Sequence, residues 1–161
     1  MDDGLRIAQI LVPIDGSAHS RHAARHAVRL AQAFGSEVTF LHVVSDTVVA
    51  ELAPHEVDDG ERRVRARLVE QGQAYLHDVV RLAEEGTVPH REVVGEGDPC
   101  ALICETAARI GADLIVMGKI GHHGARRILV GSIARRVIES SDRPVLIVGI
   151  PPGTAAVGVQ S

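Results

Sequence analysis

Apolar residues along the chain fall into two alternating patterns: short continuous runs, and longer segments in which they recur every three to four positions. The continuous runs predict five strands, at 7–14, 37–44, 87–94, 113–117 and 145–148. The helical spacing between them predicts four helices, each ended by a glycine or a proline. Because parallel strands need crossover helices, this order predicts an α/β fold, a single-domain open parallel five-stranded sheet with helices on both faces.

Two segments follow neither pattern. Between residues 45 and 60 the periodicity fails, Pro54 interrupts the chain and acidic residues accumulate, which predicts a mobile loop and a candidate lid. Residues 151–161 are rich in glycine, proline, alanine and valine, which predicts a loose C-terminal tail. We therefore interpret the 161 residues as one domain whose core spans 7–150.

The stretch 118–132 carries the strongest chemical signal. Glycines follow the fourth apolar run, and a Gly-Ser pair then opens the last predicted helix. Glycine lets the backbone approach an anion closely, and the N–H groups and dipole of a helix start favour negative charge. Residues 118–143 include six basic and two acidic side chains, although the whole chain has a formal charge of −4. The order of strand, glycine loop and helix start therefore predicts a phosphate site, while the spacing alone does not select the base.

Composition narrows the range of partners. Only two phenylalanines and one tyrosine supply aromatic rings, and the net charge is negative. Single-stranded nucleic acid is usually bound by aromatic platforms in a basic groove, so nucleic acid is not expected as a partner. No apolar run reaches the roughly 18 residues of a membrane span, and the N-terminus lacks a signal-peptide pattern. We therefore expect a cytoplasmic protein that binds no membrane.

The cysteines and histidines do not predict a metal site. Cys100 and Cys104 fall on one apolar helix stripe and are interpreted as reduced core residues, since two thiols alone do not complete a zinc site. His19, His22 and His26 share a helix face opposite the apolar one, which predicts a solvated stripe.

The spacing Gly118-x2-Gly121-x9-Gly131-Ser132 resembles the nucleotide motif of the universal stress protein family, specifically of its ATP-binding branch. Other stretches resemble that family in the same order, namely ILVPIDGS at 10–17, LHVV at 41–44, GDP at 97–99, ADLIVMG at 112–118 and RPVLIV at 143–148. The resemblance covers 7–150 and implies a Rossmann-like fold of the adenine nucleotide alpha hydrolase type.

Carried over to this sequence, the resemblance implies an adenine pocket near the first two strands. Asp15 and the backbone around Val43 would hold the adenine, and Pro13 and Ile14 would shape the pocket. From the residues alone, Asp15 can also be a turn-forming or capping carboxylate, because it precedes Gly-Ser. Both roles can coexist in one side chain.

The resemblance places the ribose and the phosphates at the glycine stretch. Met117 and Gly118 would line the ribose and the first phosphates. Donors to the phosphate tail would come from Gly121, Gly131, Ser132 and Ile133. The resemblance further implies ATP with Mg²⁺, for which Ser132 is a candidate ligand; AMP or cyclic AMP is the alternative nucleotide.

The resemblance implies an ATP-binding regulatory module of the stress response. A Walker loop is absent, and no carboxylate or glutamine lies between Gly118 and Ile133 to position an attacking water. His122 and His123 are interpreted as polar loop residues without a catalytic role; the alternative is that one of them contacts a phosphate oxygen or acts as an acid near neutral pH. We therefore expect slow ATP hydrolysis at most, and no catalytic residue is assigned.

The last strand leaves a second class of function open. From Val145 to Ile150 the sequence is almost wholly apolar, and an uncovered apolar edge strand needs a partner. The alternative function is a homodimerising interaction module without a physiological nucleotide. A homodimer through this strand is expected under either function.

Overall fold

A computed structural model of the chain describes residues 6–53, 59–121 and 129–151. Within these residues, strands and helices alternate along the chain. Their bounds are β1 Gln9–Pro13, α1 Ala18–Phe34, β2 Glu37–Ser45, α2 Asp46–Leu52, α3 Asp59–Glu85, β3 His90–Gly97, α4 Pro99–Ile110, β4 Leu114–Gly118, α5 Ser132–Ser140 and β5 Val145–Val148. No helix in these ranges is long and apolar enough to cross a membrane.

The five strands form one parallel sheet in the order β3-β2-β1-β4-β5. Each face carries its own hydrophobic layer, with Val12, Phe40 and Val116 beneath α1 and α3, and Leu11, Leu41 and Ile115 beneath α4 and α5. The α/β class with helices on both faces is therefore confirmed. The strand order reverses between β1 and β4, and such a reversal opens a crevice at the carboxyl ends of the strands.

The helix ends follow the signals in the sequence. Ser17 caps α1 by accepting a hydrogen bond from the Ser20 N–H at 3.1 Å, and Asp98 caps α4 by accepting one from Ala101 at 2.9 Å. Gly35 ends α1 in the left-handed conformation that glycine adopts without steric cost. These caps fix where α1 and α4 begin relative to the strands that precede them.

The prediction of a loop over 45–60 is wrong for most of its described residues: Ser45 ends β2, 46–52 form helix α2, and 59–60 begin α3. Helix α2 lacks visible periodicity because it has only seven residues, of which Val49 alone is buried. Its first residue, Asp46, forms an ion pair with Arg65 of α3 at 2.9 Å. Residues 54–58, and all of the predicted tail except Pro151, lie outside the described residues.

Strand β3 begins three residues later than predicted and extends to Gly97. Thr87 has a positive φ of 53°, so the turn after α3 takes up residues that the sequence assigned to the strand. The strand continues through Gly95 and Gly97, where Leu102 of α4 lies 3.4 Å from an ideal Cβ at either position. These glycines let α4 pack closely on the end of β3.

Candidate functional site

The crevice between β1 and β4 is bounded by two turns, one after each strand. In the turn after β1, the Ile14 N–H donates to the Leu41 carbonyl at 2.7 Å, and His42 Nδ1 donates to the Ile14 carbonyl, also at 2.7 Å. Both polar groups of Ile14 are thus bonded to β2. The backbone of this turn is therefore fixed at Ile14, the residue before Asp15.

Asp15 spans the crevice. Its Oδ1 accepts a hydrogen bond from the Ser17 N–H at 2.9 Å, so the side chain does form the turn that precedes α1. Its Oδ2 faces the other wall, where an ideal Cβ on Gly121 would lie only 2.7 Å away. The structure therefore brings a carboxylate from β1 against the glycine stretch that follows β4.

The segment after β4 is anchored at both of its described ends. The Lys119 N–H donates to the Val148 carbonyl of β5 at 2.8 Å, and the Gly131 N–H donates to the Lys119 carbonyl at 2.8 Å. At Gly118 an ideal Cβ would lie 2.7 Å from the carbonyl carbon of His19, so only glycine lets α1 cross the end of β4 this closely. The start of α5 is thereby fixed beside the end of β4.

The first turn of α5 presents backbone donors at the crevice. Gly131 is the N-cap, and the first intrahelical bond is donated by the Arg135 N–H at 3.0 Å. The N–H groups of Ser132 and Ile133 therefore have no acceptor within 6–53, 59–121 and 129–151. Both side chains are exposed, so this helix start is open to an anion.

An ion pair orients α5 relative to α4. Arg136 donates two hydrogen bonds of 3.0 Å to the two carboxylate oxygens of Asp98, the residue that also caps α4. These hydrogen bonds hold the pKa of Asp98 below its ordinary value. One carboxylate thus joins the N-terminus of α4 to the middle of α5.

Comparison with known proteins identifies the family. The model of the Universal stress protein family matches residues 7–149. The chain belongs to the universal stress protein family. Universal stress protein MJ0531 of Methanocaldococcus jannaschii is 40% identical over 144 residues, which are 89% of this chain and 82% of that protein.

Solved structures of universal stress proteins share the fold. MJ0577, from the same organism, superposes with a TM-score of 0.77 at 26% identity, covering 91% of this chain and 99% of its own. A universal stress protein from Archaeoglobus fulgidus, in complex with dAMP, has a TM-score of 0.64 at 20% identity, covering 89% and 98%. The latter likeness concerns the fold alone.

All ten residues that the family resemblance implied as contacts lie at the carboxyl edge of the sheet, as the strand order requires. Ile14 and Met117 are only 2% and 5% exposed, so they form the floor of the crevice rather than its surface. The Gly131 N–H is bonded within the chain and is not available to a phosphate. His122 and His123 lie outside the described residues.

The structure adds residues that sequence reasoning did not assign to the site. His42 and Tyr75 pack behind the turn after β1. The position of His42 beside Val43 was a signal for it, because neighbouring strand residues share the same end of the sheet. Tyr75 had no signal, since it lies in the middle of a long helix.

The histidine stripe on α1 is half-buried rather than fully solvated. The rings of His22 and His26 meet edge to face with centroids 4.6 Å apart. Burial, followed by the nearby charge of His26, lowers the pKa of His22. No group of three or more metal-ligating side chains occurs in the described part of the chain.

Cys100 and Cys104 are free thiols, the first buried and the second partly buried.

Proposed function

We propose that this universal stress protein binds ATP with Mg²⁺, acts as a nucleotide-dependent regulatory module of the stress response, and hydrolyses ATP slowly at most. The observation that carries this proposal is the crevice between β1 and β4. There, Gly121 lets the Asp15 carboxylate lie against the segment that follows β4, and the N-terminus of α5 is open.

The phosphates fit the start of α5. Backbone N–H groups at a helix start, together with the helix dipole, stabilise a bound anion. Ser132 and Ile133 offer two such N–H groups, and Ser132 adds an exposed hydroxyl. Gly121 lacks the Cβ that would otherwise meet Asp15. Gly131 contributes by closing the loop onto Lys119 rather than by donating to a phosphate.

The adenine fits the end of β2. In a parallel ladder, the N–H and C=O of one residue point to the same neighbouring strand, and successive residues alternate. The Leu41 carbonyl bonds Ile14, so the polar groups of Val43 also point to the β1 side, where β1 has already ended at Pro13. An N–H beside a C=O matches the N1 acceptor and 6-amino donor of adenine, whereas guanine presents the opposite pattern.

Magnesium fits the oxygen atoms at this site. Mg²⁺ prefers oxygen ligands and is usually held by phosphates with one or two protein groups. The Ser132 hydroxyl is the protein oxygen that we assign to this role, while Asp15 is assigned to the adenine. When bound, the ion would neutralise phosphate charge next to the Asp15 carboxylate.

The same residues argue against rapid hydrolysis. Asp15 is a carboxylate that lies against Gly121, and its Oδ1 already accepts a hydrogen bond from the Ser17 N–H. An attacking water needs a group that orients it. We therefore expect turnover below about 1 per second, the low end of ordinary enzymes.

The test is ATP binding at equilibrium, measured by calorimetry with Mg²⁺ present. Ser132→Leu places a bulky side chain at the open helix start and should weaken binding by about tenfold or more, or about 1.4 kcal/mol. Ser140→Leu is the matched control, because it makes the same exposed change at the other end of α5. ATP affinity that is unchanged in Ser132→Leu would refute the phosphate assignment.

The homodimer through β5 stays a prediction that the strand order supports. β5 ends the sheet, so among the described residues no strand lies on the outer side of its backbone, and Leu146 is 38% exposed. Light scattering at micromolar concentration should report a dimer, and a monomer would contradict the prediction. The cytoplasmic location expected from the sequence likewise stays a prediction.

The exposed apolar residues also favour the second candidate, a homodimerising interaction module without a physiological nucleotide. Ile138 of α5 is 48% exposed, on the same side of the fold as β5. Mass spectrometry of protein purified without added nucleotide separates the two candidates. Co-purified adenine nucleotide, or ATP binding by the purified protein, would exclude the module without a nucleotide. If no nucleotide co-purifies and ATP does not bind, the ATP proposal is excluded.

A further inference from the structure

His42 lies in β2 with its side chain facing α3, and it is 9% exposed. Its Nδ1 is 2.7 Å from the Ile14 carbonyl oxygen. A carbonyl oxygen can only accept, so the imidazole proton is on Nδ1. A buried donor of this kind restrains the carbonyl that it bonds.

Helix α3 closes over the other side of the His42 ring. An ideal Cβ at Gly72 would lie 2.1 Å from the ring Cδ2, so the helix backbone sits directly on the imidazole. The Tyr75 ring meets the His42 ring edge to face, with centroids 5.7 Å apart. Backbone and ring together leave His42 little freedom to rotate away from Ile14.

Tyr75 also touches the turn directly. An ideal Cβ at Gly16 would lie 2.5 Å from two atoms of the phenol ring, so the ring is packed against the Gly16 backbone. Gly16 has a φ of +80°, a left-handed conformation that glycine adopts without steric cost, and it lies between Asp15 and Ser17, the N-cap of α1. Helix α3 therefore acts on both residues that flank Asp15. Its Tyr75 packs against Gly16, and its backbone at Gly72 packs against His42, which is bonded to Ile14.

From these contacts we infer that His42 and Tyr75 are positioning residues, through which helix α3 sets the place of Asp15 and hence the affinity for adenine. This inference rests on the proposed function. It assigns to α3 a part in ligand binding that neither the glycine motif nor the family resemblance gives it. The two side chains act through Ile14 and Gly16, which carry Asp15 between them.

The decisive experiment replaces His42 in two ways. His42→Asn keeps an N–H donor at the place of Nδ1, whereas His42→Leu keeps much of the side-chain volume but removes the donor. Losing the bond to a buried carbonyl should weaken ATP binding about tenfold in His42→Leu, while His42→Asn stays within about threefold of the wild type. Rescue by asparagine identifies the hydrogen bond, rather than ring packing, as the cause.

A second readout separates positioning from general loosening of the fold. ATP and AMP share the adenine, so His42→Leu should weaken both by the same factor. Ser132→Leu should weaken ATP more than AMP, because it acts at the phosphate end. If His42→Leu does not fold by circular dichroism, His42→Gln replaces it, since glutamine carries its donor to the Nε2 end of the ring and leaves the Ile14 carbonyl unbonded.

The outcomes are distinguishable. If the wild type binds neither ATP nor AMP, the proposed function fails, and this inference fails with it. If the wild type binds but the donor-free variant binds equally tightly, the inference alone is overturned. It is also overturned if His42→Asn binds as weakly as the donor-free variant.

Discussion

The closest backbone approach at the site is at Gly118, and it makes a quantitative prediction. In Gly118→Ala the new Cβ would lie 2.7 Å from the His19 carbonyl carbon, 2.8 Å from its Cβ and 2.9 Å from its carbonyl oxygen. Carbon atoms normally pack about 3.5–4.0 Å apart, so the first turn of α1 would have to move by about 1 Å. Overpacking of this kind costs about 1–3 kcal/mol, because backbone must yield rather than a flexible side chain.

The assay is thermal unfolding followed by circular dichroism. For a chain of this size, 1 kcal/mol lowers Tm by about 2–4 °C, so Gly118→Ala should lower Tm by roughly 2–12 °C. Gly149→Ala is the matched control at the end of the neighbouring strand, since the nearest atom there is the mobile Lys119 Cδ at 3.5 Å. A Tm of Gly118→Ala within about 1 °C of the wild type, or an equal fall in the control, would refute the reasoning.

Two further predictions concern α5 and β5. Asp98→Asn keeps a capping oxygen but loses the charge pair with Arg136, and should cost about 0.2–1 kcal/mol at pH 7 because the pair is exposed. Since the pair lowers the folded-state pKa of Asp98, its stabilisation is present above about pH 4 and is lost as the pH falls through that lowered pKa. The difference between variant and wild type in urea unfolding should therefore shrink as the pH is lowered below about 4, and a difference that does not shrink would contradict this. Leu146→Glu should convert the expected dimer to a monomer in light scattering, whereas an intact dimer would place the interface elsewhere.

The strands were predictable because a sheet covered on both faces buries nearly every side chain. The three central strands, β1, β2 and β4, therefore read as continuous apolar runs. β3 lies at an edge and exposes several of its residues, so its bounds were misplaced. Helix α2 was missed for a related reason, since one buried valine gives no period. Where tertiary contacts rather than a repeated pattern define an element, the sequence carries little signal.

The site was predictable as far as chain order determines it. Strand, glycine loop and helix start imply a place for anions, and parallel topology brings Asp15 and Gly118 to one edge. The finer chemistry depends on approaches between distant segments, which no local pattern records. Gly131, predicted as a donor to phosphate, instead donates its N–H to the Lys119 carbonyl. The Asp15 carboxylate lies against Gly121, although the two residues are far apart in the sequence. Asp15 brings a carboxylate to the loop although the loop sequence contains none. Its Oδ1 already accepts a hydrogen bond from the Ser17 N–H, and this bond, more than the loop sequence, is what opposes rapid hydrolysis.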